Sequence, residues 1–140
     1  MEEDTIILNG GMKMKFYFKE NTVHTEFEYG ELVISGNEEY GFRPFQLMVS
    51  SIVSCSGSVF KQILSKQRIE IESLEISADV KRNADEANRI EQIDLTFIVK
   101  GSELNQAKLD KSLAIARKNC AMVRSVEDSI KINETLQIEP

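Results

Sequence analysis

Apolar and polar residues alternate near the start of the chain. Met12, Met14, Phe16 and Phe18 fall on one side, with Lys13, Lys15 and Lys19 on the other, the two-residue period of a half-buried strand. After Glu20-Asn21 the alternation resumes, Val23, Thr25, Phe27 and Tyr29 against His24, Glu26 and Glu28. This predicts an antiparallel hairpin with a basic face beside an acidic one. Residues 31–35 (ELVIS) predict a further short strand ending at Gly36, so the N-terminal strands fall within about residues 5–36. The period then changes. Pro44 suits the first turn of a helix, where its missing N–H costs nothing, and no proline follows before the end of the chain, so one long helix is predicted over about 44–67. Gly57 weakens that helix by up to about 1 kcal/mol against alanine, and a glycine kept there lets another backbone come close.

Alternation returns as Leu74, Ile76, Ala78, Val80 and again as Ile93, Leu95, Phe97, Val99, predicting strands over about 71–82 and 89–100 with the polar run KRNADEANR as the loop between them. Leu109, Leu113, Ala116 and Cys120 then recur at spacings of 4, 3 and 4, which stacks them on one face of a helix over about 103–121. Ile130, Ile132, Leu136 and Ile138 close the chain as one or two strands over about 129–139. Strand runs with antiparallel-type alternation around two helices give an α+β domain. Its first helix is unusually apolar and needs cover on most sides, more than one small domain supplies, which makes a homodimer the expected assembly.

Composition narrows the function classes. A chain of 140 residues, 41% hydrophobic and with two prolines, fits a single folded domain with a proper core. The net charge of −6 argues against nucleic acid and anionic membrane as partners, because phosphate binding needs clustered Lys and Arg. Residues 44–60 carry no charge, but a membrane span needs about 20 predominantly apolar residues, and this stretch holds Gln46 and serines at 50, 51, 54, 56 and 58. It reads better as a helix buried in protein. The acidic start, MEEDT, is unlike the basic opening of a secretory signal, so export is not expected.

The chemistry rests on two sulfurs, Cys55 and Cys120, the only cysteines. Each sits on or near the buried face of a predicted helix. Inert core thiols are the plain reading, since free cysteine behaves as a small hydrophobe. A structural disulfide would need an oxidising compartment. A zinc site wants four N/S ligands, whereas His24 is the only histidine and lies on the polar side of a strand. No metal or cofactor is expected. The serines have no G-x-S-x-G elbow and no second histidine, which sets serine hydrolysis aside. A working pair remains open: two apolar helix faces in one small domain usually meet, and a disulfide can form if the Cα atoms come within about 4.4–6.8 Å.

The run RPFQLMVSSIVSC, the long helix, the two strands with their polar loop, and LDKSLAIARKNC leading into ARKNCAMVRSV resemble the OsmC/Ohr proteins, the osmotically inducible protein C and organic hydroperoxide resistance proteins, over about residues 30–138. The resemblance implies an OsmC-like fold, an intertwined α+β homodimer and a cytoplasmic thiol-dependent peroxidase acting on organic hydroperoxides. By the same resemblance Cys55 matches the attacking cysteine and Cys120 the resolving one, with an external thiol as reductant. The match breaks at the activating groups. Active members pair the reactive sulfur with an N-terminal arginine and a glutamate just after the helix-starting proline; here Phe45 follows Pro44, and no arginine precedes Arg43. Cys55 lies eleven residues past Pro44, about 16 Å up the helix, beyond reach of that helix end's dipole. Lys13 and Lys15 are candidate cations whose alternation points them away from the core, and Arg117 and Arg124 flank Cys120 but read first as solvated surface. The alternative to the peroxidase is therefore an OsmC-fold dimer without efficient activity that binds a small apolar ligand or serves as a structural partner, with Phe45 making the pocket greasier.

Overall fold

In a computed structural model of the chain, residues 13–140 are described, so the expected strand residues before Lys13, Met12 among them, lie outside the described residues. The chain forms two compact units, residues 1–47 and 48–140. In the first, β1 (Tyr17–Phe18), β2 (Val23–Glu26) and β3 (Glu31–Ile34) form an antiparallel sheet in that order. Phe27 and Gly30 exchange both backbone hydrogen bonds across the turn between β2 and β3. The sequence pattern overstates this region. Only Tyr17 and Phe18 of the first alternating run are paired, and Met14, Phe16 and Phe18 are as open to solvent as the lysines between them. The lysines of the expected basic face fall outside the paired residues; His24 stands opposite Tyr17 and Val33, while Glu26 stands opposite Glu31. That like-charged pair is unfavourable, and the His24 ring, 3.0 Å from Glu31, offsets it. After β3 the backbone folds back through Gly41, where an added Cβ would lie 2.8 Å from the Val33 carbonyl oxygen. Only glycine admits that approach.

The long helix, α1 (Pro44–Lys66), begins at the proline that suits its first turn and runs into the second unit. There β4 (Ser73–Asn83), β5 (Arg89–Lys100), α2 (Gln106–Asn119), α3 (Ala121–Val126) and β6 (Lys131–Glu139) follow. The sheet order is β4-β5-β6, with β4 antiparallel to β5. Contrary to the antiparallel expectation, β6 joins β5 in parallel, Ile93 opposite Ile132 and Phe97 opposite Leu136. The reason is the crossover through α2 and α3, which returns the chain in its original direction. The β4–β5 loop is tighter than the polar run suggested: pairing continues to Asn83 and restarts at Arg89, leaving a turn with Ala87 and Asn88 at positive φ.

β5 is the floor of the core. Ile93, Leu95, Phe97 and Val99 alternate onto one face and are all buried, and α1 packs across that face. Phe60 of α1 meets Phe97 edge to face at 5.4 Å between ring centroids, a geometry contributing about 0.5–1.5 kcal/mol beyond area burial. At Gly57 an added Cβ would lie 2.9 Å from Ile76 Cδ1, so the close neighbour is a β4 side chain rather than a second backbone. α2 starts at Asn105, whose side chain accepts the Lys108 N–H at 2.9 Å, a standard helix cap. Its stripe of Leu109, Leu113 and Ala116 is buried as the spacing predicts. α1 is less enclosed than expected: Ile52, Ser56, Gly57, Phe60 and Leu64 are buried, while Met48, Ser50, Ser51, Ser54 and Ser58 are exposed.

Candidate active site

The second unit brings Cys55 and Cys120 together. Cys55 sits at the margin of the packed face of α1, half-buried, one residue before the fully buried Ser56. Cys120 is completely buried. The helix predicted to run through it instead breaks there: Cys120 adopts an extended conformation (φ −88°, ψ 110°) and ends α2 while starting α3. The break matters because the first amides of any helix lack partners within it. The N–H groups of Ala121 and Met122 and the Cys120 thiol act on the Cys55 sulfur as neighbours that favour its charged form. Both sulfurs are free thiols.

These contacts set the two thiols apart. The Met122 N–H is the chief cause that lowers the Cys55 pKa below the ordinary thiol value; partial burial opposes it, and the Cys120 thiol and the Ala121 N–H add to the lowering. Cys120 moves the other way, pushed up mainly by burial, though the Val123 N–H pulls it back, and then by the hydrogen bond and charge of Cys55. The two thiols thus shift in opposite directions, Cys55 becoming the more readily ionised of the pair and Cys120 the less. The lowering comes from backbone amides that favour the charged form rather than from a cation. Its only sequence trace is that Ala121 and Met122 immediately follow the second cysteine.

The sequence's cation candidates are engaged elsewhere. Arg124 pairs with Glu127 at 2.7 Å and donates to the Lys118 carbonyl. Arg117 donates to the Ile132 carbonyl at 2.6 Å. Lys13 and Lys15 are exposed. Phe45 lies under the Arg43 guanidinium, 5.0 Å from the ring centroid, a cation–π pair where the resemblance leads one to expect a carboxylate. His24 accepts or donates between Thr22 and Glu31. Among the described residues no group of three His, Cys, Asp or Glu could hold a metal ion.

Beside the cysteines lies a polar cluster the sequence reading passed over. Glu134 stands on the helix-facing side of β6, between the buried Ile132 and Leu136, and its Oε2 accepts the Ser56 hydroxyl at 3.0 Å. Burial pushes its pKa above the ordinary glutamate value, against the pull of that hydroxyl and of the Arg117 charge. The signal was present as a break in the alternation Ile130, Ile132, Glu134, Leu136, Ile138.

A family model described as OsmC-like protein matches residues 36–135. No curated protein sequence matches the chain. Among solved structures, an OsmC-like protein from Mycoplasma pneumoniae has a TM-score of 0.81 at 13% identity, covering 95% of this chain and 100% of its own. An organic hydroperoxide resistance protein from Elizabethkingia anophelis has a TM-score of 0.72 at 14% identity, covering 94% and 100%. An organic hydroperoxide resistance protein OsmC from Legionella pneumophila has a TM-score of 0.67 at 18% identity, covering 96% and 97%. At these identities the likeness is one of fold.

Proposed function

Because the chain belongs to the family of OsmC-like proteins, we propose that it is a thiol-dependent peroxidase that reduces organic hydroperoxides through Cys55 and Cys120. What supports this reading is that Cys55 and Cys120 are close enough to influence each other's ionisation, with the Met122 and Ala121 amides favouring the charged form of Cys55. The Cys55 thiolate attacks the terminal oxygen of R–O–O–H, the O–O bond breaks, and the alkoxide takes a proton and leaves as R–OH. Cys55 is now a sulfenic acid. The Cys120 sulfur displaces its hydroxyl as water, and the disulfide forms before further oxidation can occur. Two electrons from two external thiols then restore the pair.

The two opposite pKa shifts serve this order. Cys120 is held as a thiol partly by the negative charge of its neighbour. Once Cys55 becomes a neutral sulfenic acid that contribution vanishes, and Cys120 ionises more readily when its attack is needed. A cycle that ends on thiol reductants belongs in a reducing compartment, and the cytoplasm is the proposed site.

The proposed assembly is a homodimer. Tyr17, Phe18, Tyr29 and Phe42 of the first unit are more than half exposed, and α1 leaves Met48 open. A second copy of the chain that covers such side chains is the partner proposed. The test of the proposed activity is steady-state turnover of an alkyl or aryl hydroperoxide with a dithiol reductant. Turnover that is lost in Cys55→Ser supports the reading; turnover no faster than the reductant alone defeats it.

A further inference from the structure

Two polar contacts land on neighbouring positions of β6. Ser56, buried on α1, donates to the Glu134 carboxylate at 3.0 Å. Arg117, in the last turn of α2, donates to the Ile132 carbonyl at 2.6 Å and sets its charge against Glu134. Each contact sits beside a cysteine. Ser56 follows Cys55 directly, and the Arg117 carbonyl accepts the Cys120 N–H. A glutamate on the apolar face of a strand is costly to bury, and leucine or isoleucine would continue the alternation of β6 without that cost. Stability alone does not account for its presence.

We propose that Glu134 is a positioning residue: by accepting the Ser56 hydroxyl, on a strand whose Ile132 carbonyl is held by Arg117, it keeps the turn of α1 that carries Cys55 in register with the end of α2 that leads into Cys120. The register is what lets the Cys55 sulfur reach the Met122 and Ala121 amides, since a hydrogen bond weakens steeply when its geometry is lost. The inference rests on reading Cys55 as the attacking thiolate, and it assigns Glu134 no contact with substrate. Glu134 faces Ser56 from α1 and Arg117 from α2, and Asp110 of α2 lines the same cavity of about 270 Å³. Cys55 faces Cys120 and the two amides.

The test is the rate of Cys55 alkylation against pH in the full chain, with the modified site assigned by mass, beside the melting temperature. As a positioning residue, Glu134 replaced by leucine raises the Cys55 midpoint by about one pH unit, the size of one weakened hydrogen bond to a charged group. The melting temperature does not fall, because the apolar face is completed. Glu134→Gln keeps an acceptor for Ser56 and restores the midpoint, and Ser56→Ala, which disturbs β6 least, raises it as the leucine does. The sign separates this role from a simple charge effect, since deleting a nearby negative charge lowers a thiol pKa. A midpoint unchanged or lowered in both Glu134→Leu and Ser56→Ala overturns the proposal. A shifted midpoint in a protein that reduces no hydroperoxide upholds the positioning role and defeats the peroxidase reading instead.

Discussion

At the scale of single residues, the proposed peroxidase needs a thiol whose pKa is lowered without a charged partner. A free cysteine titrates near 8.5 and is mostly protonated at neutral pH. Cys55 is lowered first by the Met122 N–H and only secondarily by Cys120. Replacing Cys120 with serine therefore leaves the Cys55 alkylation midpoint below that of an unperturbed thiol, whereas an alanine there, which offers no donor, raises it slightly without restoring the ordinary value. A midpoint in Cys120→Ala equal to that of a small free thiol would show that the amides contribute nothing. Cys120→Ser also removes the resolving step, so repeated hydroperoxide treatment drives Cys55 to sulfinic and sulfonic acid, visible as added oxygen masses. The sequence made the two cysteines legible as candidates through the helical spacing that ends at Cys120. It could not show the extended backbone at Cys120, because Ala121 and Met122 are good helix formers and no glycine or proline marks the break.

At the scale of elements, most of the fold was legible because long periodic segments decide their own type. The α1 helix, the β4–β5 hairpin and the buried stripe of α2 follow from the pattern of apolar positions. The first hairpin follows only in part: β1 and β2 pair antiparallel as the pattern predicts, but the alternation before Tyr17 continues through residues that are unpaired and exposed. Glu134 exemplifies a signal visible only as an exception to a pattern. Its pKa is raised in the folded protein, so its contribution to stability is fully present below the ordinary glutamate value of about 4.3 and is lost as pH rises through the raised folded value. Glu134→Gln removes that contribution: its melting temperature declines less than the wild type's across this window. Gly57 gives a second check. Alanine there touches only the flexible end of Ile76 and gains helix propensity, so it changes stability by less than about 1 kcal/mol; leucine overpacks the same contact and destabilises by about 1–3 kcal/mol, measured by urea unfolding.

For the whole molecule, the apolar side chains left open on the first unit and on α1 are the main unexplained expense of a single chain. Burying them in a second copy explains them, and Phe18, the most exposed phenylalanine at 81%, is the residue to disturb. Sedimentation equilibrium is expected to give twice the chain mass for the wild type and a shift toward the monomer for Phe18→Glu. A monomeric wild type at micromolar concentration would remove the homodimer from the account. The sequence points to the same proposal only in outline, through a helix too apolar to be covered by so small a domain.

The central claim is that Cys55 and Cys120 act as one redox pair, and its most direct measurement is a single turnover. One equivalent of an organic hydroperoxide is added to the fully reduced protein, and intact mass and free thiols are followed together. The account predicts loss of both thiols and of two hydrogen masses per chain, with Cys55 and Cys120 joined in one peptide pair and no response in Cys55→Ser. Oxidation no faster than that of a small free thiol, or a stable sulfenic acid at Cys55 with the Cys120 thiol intact, would contradict it.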